Sequence, residues 1–213
     1  MDLQIALDRI PLARAVDLAG VVAPYVDWIE VGTSMVKQFG SEGLVAVVAA
    51  AGSTPVLADL KTVDDATFEL SLAYDSGARS VTVLGLASDV TIETAVQLAA
   101  SRDRELVVDL MGVPVARTAE LASRLPHSVI LSPHVGKDAQ LTGGSPAELL
   151  GPWAAGRRIA LAGGLTADDL PALSTIPDLR VIVGSAVTQA TDPVAAVLEL
   201  RRAAGKERDP HDG

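Results

Sequence analysis

The sequence predicts an α/β fold, a single (β/α)8 TIM barrel. The chain has 213 residues, of which 49% are hydrophobic, enough for one well-packed domain. Eight short runs rich in Val, Ile and Leu alternate with longer helical segments, and runs without polar alternation are typical of strands covered on both faces. Polar side chains follow nearly every run. An open doubly wound sheet, the alternative, would gather them at one switch point.

The predicted strands and helices alternate along residues 1–204, and residues 205–213 are expected to form a disordered polar tail. The strands are predicted at residues 3–7, 26–31, 56–60, 80–84, 105–110, 128–131, 158–162 and 179–183. Asp89 can cap the helix after the fourth strand, and Thr166 with Asp169 matches a capping box. Asp192-Pro193 opens the last helix, with Pro at its first position.

The composition excludes several classes of function. The net charge of −10 disfavours binding to nucleic acid or to an anionic membrane, although a local pocket can still hold a small anionic metabolite. The absence of Cys excludes disulfide scaffolds and thiolate metal sites. We see no signal peptide and no apolar run that approaches about 20 residues, so we expect a cytoplasmic protein without membrane contacts.

The most informative stretch is Asp59-Leu60-Lys61-Thr62-Val63-Asp64, at the end of the third predicted strand. In an extended strand Asp59 and Lys61 share one face, because side chains alternate with period two. Two carboxylates and an ammonium are expensive to bury without partners. The stretch therefore indicates either a functional site or a mutually satisfied ion-pair cluster without function.

Polar residues and glycines also follow the other strands, at the end where barrel enzymes carry their active sites. They are Asp8, Glu30, Asp109, His134, Gly163-Gly164 and Gly184-Ser185. Glu30 and Asp59 are hard oxygen ligands of the kind that Mg²⁺ prefers. The alternative is that Glu30 forms an ion pair with Lys61.

Lys61, His134 and the glycines each have a chemical interpretation. Lys61 beside carboxylates should stay protonated, which suits electrostatic stabilisation of an enediolate and disfavours a Schiff base. His134, in a loop restricted by Pro and Gly, is either a proton shuttle or a structural residue. The glycine turns suit a phosphate site, because backbone N–H groups can approach the oxygens, but they are also compatible with ordinary strand-to-helix turns.

Taken together, these motifs resemble the orotidine monophosphate decarboxylase superfamily, and most closely its 3-hexulose-6-phosphate synthase family. The matching segments are residues 3–8, 29–33, 58–64, 134–140, 162–164 and 181–184. Orotidine monophosphate decarboxylases, which work without metal, are expected to have Lys where this chain has Glu30. A second metal-dependent branch, the 3-keto-L-gulonate-6-phosphate decarboxylases, usually has Glu in place of Asp109 and Arg in place of Ser185. The chain is similar to the synthases at both positions.

The resemblance implies a Mg²⁺-dependent aldolase that adds ribulose 5-phosphate to formaldehyde. Glu30 and Asp59 would bind Mg²⁺, Lys61 would stabilise the enediolate and His134 would move protons. The same resemblance places Asp8 and Asp109 on substrate hydroxyls, and Asp64 in the partner's site of a homodimer. Asp65, Pro133 and Lys137 depart from the family's pattern. A sugar-phosphate decarboxylase and a non-catalytic sugar-phosphate-binding barrel are the alternatives.

Overall fold

The protein is described by a computed structural model that covers residues 1–140 and 146–205. Within these residues eight parallel strands close into a barrel in chain order, and β8 pairs with β1. The strands are β1 (Asp2–Leu7), β2 (Trp28–Val31), β3 (Val56–Thr62), β4 (Ser80–Leu84), β5 (Glu105–Asp109), β6 (Ile130–Ser132), β7 (Ile159–Ala162) and β8 (Leu179–Val183). The predicted (β/α)8 barrel is therefore confirmed.

The helices are α1 (Leu12–Val22), α2 (Thr33–Ala51), α3 (Ala66–Asp75), α4 (Asp89–Ser101), α5 (Val115–Arg124), α6 (Lys137–Gln140), α7 (Leu170–Leu173), α8 (Ser185–Thr188) and α9 (Pro193–Ala203). Helices α1 to α5 and α9 have 10 to 19 residues, whereas α6, α7 and α8 are short. Gly40, with φ of 58°, interrupts α2. Because α6, α7 and α8 have four residues each, loops form much of the rim after the last three strands.

Several strand ends differ from the predictions by one or two residues, and the start of β2 and the cap of α4 show the physical reason. Residue 26 was expected in the second strand, but the N–H of Val26 bonds to the Ala23 carbonyl in a 3-10 turn, so β2 begins at Trp28. The prediction that Asp89 caps α4 is wrong by one residue. Ser88 is the cap, since its hydroxyl accepts a hydrogen bond from the N–H of Thr91 at 3.1 Å.

The other two capping predictions are confirmed. Thr166 and Asp169 form a capping box, although it precedes a 3-10 turn rather than a long helix. The Asp192 side chain caps α9, which has Pro193 in its first turn.

The hydrophobic core has two layers, one between strands and helices and one inside the barrel. The inner layer consists of Leu57, Val107, Ile130 and Ala160, packed against Trp28 and Ile182. Within the described residues no helix is long and apolar enough to cross a membrane. The predicted tail lies outside the described residues except for Gly205.

Candidate active site

A cavity of about 440 Å³ opens at the carboxyl ends of the strands. Most of the predicted site residues line it: Asp8, Glu30, Asp59, Lys61, His134, Gly163, Gly164, Gly184 and Ser185. Two do not. Asp109 is 2% exposed and lies behind Lys61 and His134, and Asp64 is exposed outside the cavity. The predicted contact of Asp109 with substrate hydroxyls stays a prediction.

Lys61 reaches its partners through an irregularity in β3. Its φ is 49°, and the register between β3 and β4 shifts between Ala58 and Thr62. The expectation of a regular extended strand is wrong at this residue, because a bulge re-aims the side chain. Its backbone N–H donates to the Thr82 hydroxyl at 2.8 Å. Lys61 and Asp59 nevertheless meet, as predicted.

The Lys61 ammonium bridges two buried carboxylates. Its Nζ lies 2.8 Å from Asp59 Oδ2 and 2.6 Å from Asp109 Oδ2. Burial alone would lower the pKa of Lys61, but the charges of Asp59 and Asp109 outweigh it and raise the pKa above its ordinary value. Lys61 is therefore a fixed cation and unsuited to Schiff-base chemistry. In the described residues it forms no ion pair with Glu30, contrary to the alternative pairing.

Asp109 holds His134 in a defined tautomer. Its Oδ2 lies 3.0 Å from His134 Nδ1, and its Oδ1 accepts a hydrogen bond from the N–H of Met111 at 2.8 Å. Burial would raise the pKa of Asp109, but the hydrogen bond from His134 and the charge of Lys61 bring it down to about 2. An ionised carboxylate only accepts hydrogen bonds, so Nδ1 is the donor and Nε2 remains for proton exchange.

The loop carrying His134 is fixed to the neighbouring strand. The N–H of Val135 donates to the Ala162 carbonyl, and the N–H of Ala162 donates to the Pro133 carbonyl, each at 3.1 Å. Burial lowers the pKa of His134, yet the hydrogen bond and charge of Asp109 outweigh that effect and raise it. Asp59, Lys61, Asp109 and His134 thus form one connected charged cluster.

Glu30 lies beside this cluster as a third buried carboxylate. Its Oε2 accepts a hydrogen bond from Gln4 Nε2 at 2.5 Å. Burial and the nearby charge of Asp59 raise the pKa of Glu30 to about 7. Because the negative charge of Asp59 acts on Glu30, the two carboxylates are compatible with a cation site.

The donor set suits a hard divalent cation that keeps most of its waters. Among the described residues no group of three or more His, Cys, Asp or Glu side chains is arranged to hold a metal. Asp59 already accepts four hydrogen bonds, from Thr33, Thr82 and twice from Lys61. Glu30 and Asp59 are the residues that could hold a cation, and water or substrate oxygens would complete its shell, as is common for Mg²⁺.

The glycine turns lie on the other side of the same cavity. Gly163 has φ of 127°, and a Cβ there would lie 2.8 Å from the Cβ of Val135. Gly164 has φ of 74°. Because an L side chain rarely adopts these conformations, the loop after β7 needs glycine and exposes backbone to the cavity.

Asp8 is held at the cavity wall by the start of α2. Its Oδ1 accepts hydrogen bonds from the backbone N–H of Ser34, at 3.2 Å, and from the Ser34 hydroxyl. Its Oδ2 lies 3.8 Å from the Arg9 guanidinium. The fixed carboxylate is available to substrate hydroxyl groups.

Three buried or partly buried polar side chains that support the site were not predicted from the sequence. Thr33 and Thr82 donate to Asp59, and Gln4 donates to Glu30. Gln4 and Thr82 each have apolar residues on both sides in their strands, a signal that could have identified them, because an unpaired buried polar group is unfavourable.

The fold and the site together define a (β/α)8-barrel enzyme whose charged groups meet at the carboxyl ends of the strands. The model of the orotidine 5'-phosphate decarboxylase/HUMPS family matches residues 1–200. The chain belongs to this family.

Individual relatives and solved structures show which enzymes of this family the chain is similar to. The 3-hexulose-6-phosphate synthase of Mycobacterium gastri is 37% identical over 207 residues, which cover 95% of this chain and 99% of that protein. The structure of the Salmonella typhimurium 3-hexulose-6-phosphate synthase has a TM-score of 0.87 and 33% identity, covering 96% of this chain and 98% of that one. A 3-keto-L-gulonate-6-phosphate decarboxylase from Vibrio cholerae has a TM-score of 0.83 at 25% identity, covering 96% and 97%. The predicted resemblance and the predicted enzyme class, a carbon–carbon lyase of the 3-hexulose-6-phosphate synthase type, are confirmed.

Proposed function

We propose that the protein catalyses the reversible aldol addition of ribulose 5-phosphate to formaldehyde, which gives 3-hexulose 6-phosphate. The observation that carries the proposal is the charged cluster in the cavity. Lys61 is a permanent cation between Asp59 and Asp109, and His134 is held on Asp109 with Nε2 available. The relatives that are 36% and 37% identical carry the name of this synthase.

His134 and Lys61 have different roles in the proposed reaction. His134 Nε2 accepts a proton from C1 of ribulose 5-phosphate, and the electron pair of that C–H bond forms the C1–C2 double bond of an enediolate. The ammonium of Lys61 stabilises the negative charge on the enediolate oxygens. The C1–C2 π electron pair then forms the bond from C1 to the carbon of formaldehyde, and the C2 carbonyl re-forms. The formaldehyde oxygen receives the π pair of its own C=O bond and takes the proton from His134. Atoms and charge balance without a further reactant.

Mg²⁺ is the proposed cofactor, held by Glu30 and Asp59. It would supply Lewis-acid stabilisation of the oxyanion charge. The raised pKa of Glu30 supports a cation at this position. Burial and the negative charge of Asp59 destabilise the ionised carboxylate, and a bound cation would stabilise it. Lys61 lies next to Asp59 Oδ2, at 2.8 Å, so the protein contributes its own cation to the same region.

The phosphate group is proposed to bind between the turns after β7 and β8. Gly163, Gly164, Gly184 and Ser185 line this side of the cavity. Asp8, Asp59, Lys61 and His134 line other parts of it. Backbone N–H groups in glycine turns are common phosphate donors in barrels. The arrangement orients the sugar so that its C1–C2 end lies towards Lys61.

The test separates enediolate formation from the choice of aldehyde. The purified protein with Mg²⁺ is incubated with ribulose 5-phosphate in D₂O, and exchange of the C1 hydrogen is followed by NMR. Formaldehyde is then added, and equal consumption of both substrates is expected. Exchange without formaldehyde consumption would reject the aldehyde, and the absence of both would reject the enediolate mechanism.

Two control reactions distinguish the alternatives. CO₂ release from 3-keto-L-gulonate 6-phosphate would favour a decarboxylase. Thermal stabilisation by ribulose 5-phosphate without turnover or exchange would favour a non-catalytic binding barrel. The Lys61→Met variant serves as the matched negative control for each assay.

We also propose a homodimer in which Asp64 reaches the partner's site. Asp64 is exposed next to an apolar surface of the loop before α3 and of α3 itself, where Val63, Phe68 and Leu72 are 57%, 65% and 47% exposed. Burial of such a surface is favourable. Light scattering at micromolar concentration should give twice the monomer mass, and Phe68→Glu should give the monomer. Only monomer in the wild type would exclude shared sites. The cytoplasmic location and the absence of nucleic-acid partners stay predictions.

A further inference from the structure

Gln4 connects the site to the opposite end of the barrel. It is fully buried in β1, where the register places Gln4 beside Trp28 and Ala6 beside Glu30. Its Nε2 donates to Glu30 Oε2 at 2.5 Å. Among the described residues this is the one hydrogen bond that the Glu30 side chain accepts.

The orientation of the Gln4 amide is set by Arg180. The Arg180 guanidinium donates to Gln4 Oε1 at 3.3 Å. Since guanidinium groups only donate, the oxygen of the amide must face Arg180, and its NH₂ group must face Glu30. The amide therefore presents a donor rather than an acceptor to the Glu30 carboxylate.

Arg180 is itself immobilised at the amino-terminal end of the barrel. It is 4% exposed, its guanidinium carbon lies 3.9 Å from the centre of the Trp28 ring, and Nη2 lies 2.8 Å from Glu105 Oε1. The other oxygen of Glu105 accepts a hydrogen bond from Arg158 at 2.9 Å. A fixed buried chain thus runs from Glu105 through Arg180 and Gln4 to Glu30.

We propose that Gln4, held by Arg180, is a positioning residue that fixes the Glu30 carboxylate for cation binding. The inference rests on the proposed function, in which Glu30 is a ligand of Mg²⁺. Gln4 donates a hydrogen bond to Oε2 of Glu30, which leaves Oε1 of Glu30 as the oxygen that would bind the cation. The same bond holds the carboxylate in one orientation. Hydrogen-bond partners behind a ligand fix its geometry, and their loss commonly weakens metal binding about 10- to 100-fold.

The experiment measures cation binding directly, with Mn²⁺ as the probe and EPR of the free ion as the readout. Gln4→Met keeps the side-chain length and removes both the donor to Glu30 and the acceptor for Arg180. We expect the dissociation constant for Mn²⁺ to rise roughly 10- to 100-fold in this variant. Gln4→Asn keeps an amide but is one methylene too short to span both partners, and it should shift the constant in the same direction.

Arg157→Met is the matched control. Arg157 is a buried polar residue that donates to the carbonyls of Leu125, Pro126 and Val129, far along the chain from Glu30. This variant should lose thermal stability and keep the wild-type constant for Mn²⁺. A purely structural role of Gln4 would give the same pattern as the control.

Each outcome is decisive. A wild type that binds Mn²⁺ together with Gln4 variants that bind it equally well would overturn the positioning role and leave the proposed function intact. A folded wild type that binds no Mn²⁺ would overturn the proposed cation site and the positioning role with it. If neither Gln4 variant folds, Gln4 has a structural role and the proposal is rejected.

Discussion

Replacing Asp109 by Asn tests whether the buried carboxylate behind the cavity governs the chemistry in front of it. The carboxylate accepts hydrogen bonds from Lys61, His134 and the N–H of Met111. An Asn oxygen can keep the bond to Met111, but its NH₂ group then faces two donors. The variant therefore keeps the volume of the side chain and removes both interactions with the catalytic groups.

The size of the effect follows from these contacts. Hydrogen bonds to charged groups contribute roughly 1.5–3 kcal/mol each. The variant loses two such bonds, but Lys61 retains its contact with Asp59. We therefore expect the free energy of unfolding to fall by about 3 kcal/mol, near the lower end of the sum for two bonds. For a chain of this size that corresponds to a fall in Tm of roughly 6–12 °C. The rate should fall about 10²- to 10⁴-fold, the usual contribution of a positioned proton-transfer group.

The pH profile gives the sharper readout. Asp109 raises the pKa of His134 against the opposing effect of burial. Since His134 accepts the C1 proton only when neutral, wild-type kcat/KM should rise as pH increases through this raised pKa. In Asp109→Asn the pKa of His134 falls, so the rise should move to lower pH while the plateau drops.

Substrate consumption measured between pH 5 and 9 checks this expectation. The control is Asp103→Asn, since Asp103 is exposed and pairs with Arg79 at 3.4 Å, away from the site. It should leave both the plateau and the position of the rise unchanged. The reasoning is refuted if Asp109→Asn behaves like this control.

Three further substitutions test separate parts of the site. Lys61→Met should lower kcat about 10²- to 10³-fold with the fold retained, since it removes the cation facing the enediolate; steady-state kinetics and circular dichroism check this, and a kcat near wild type would contradict it. Thr82→Val removes the donor to Asp59 and the acceptor for the N–H of Lys61 at nearly constant volume, so the free energy of unfolding in urea should fall by about 1–3 kcal/mol. Gly163→Ala places a Cβ 2.8 Å from the Cβ of Val135, at a residue with φ of 127°. The variant should lower the free energy of unfolding by about 1–3 kcal/mol and raise KM for the sugar phosphate. A wild-type KM would argue against a phosphate site at this turn.

The barrel could be predicted from the sequence because its signals are local. Apolar runs followed by polar residues repeat along the chain, and each strand end is recognisable without knowledge of its neighbours. The same holds for the grouping of Asp59, Lys61 and His134, since the carboxyl ends of parallel strands meet at one rim. The boundary errors at β2 and at the cap of α4 reflect local competition for hydrogen bonds, which alternation of residue types does not reveal.

The bulge in β3 could not be predicted from the sequence in the same way. The stretch from Asp59 to Thr62 contains no Gly, and alternation of side chains predicts a regular strand there. At this irregularity the Thr82 hydroxyl of β4 accepts a hydrogen bond from the N–H of Lys61 and donates one to the Asp59 carboxylate. The register between β3 and β4 is set by how the two strands pair in the closed barrel, so the sequence of β3 alone does not predict it.

The partners of the two proposed ligand carboxylates show why polar residues inside apolar strands carry information about function. Gln4 and Glu30 are 26 residues apart, and Thr82 and Asp59 are 23 residues apart, so neither contact leaves a local pattern. Leaving one such buried group unpaired would cost about 1–3 kcal/mol. An amide or hydroxyl in a buried strand is therefore favoured where a partner lies across the barrel, and for Gln4 and Thr82 that partner is a carboxylate of the site. Gln4 and Thr82 thus carry information about the site once the strand order is known, whereas Ser80, also buried in β4, has no hydrogen-bond partner among the described residues.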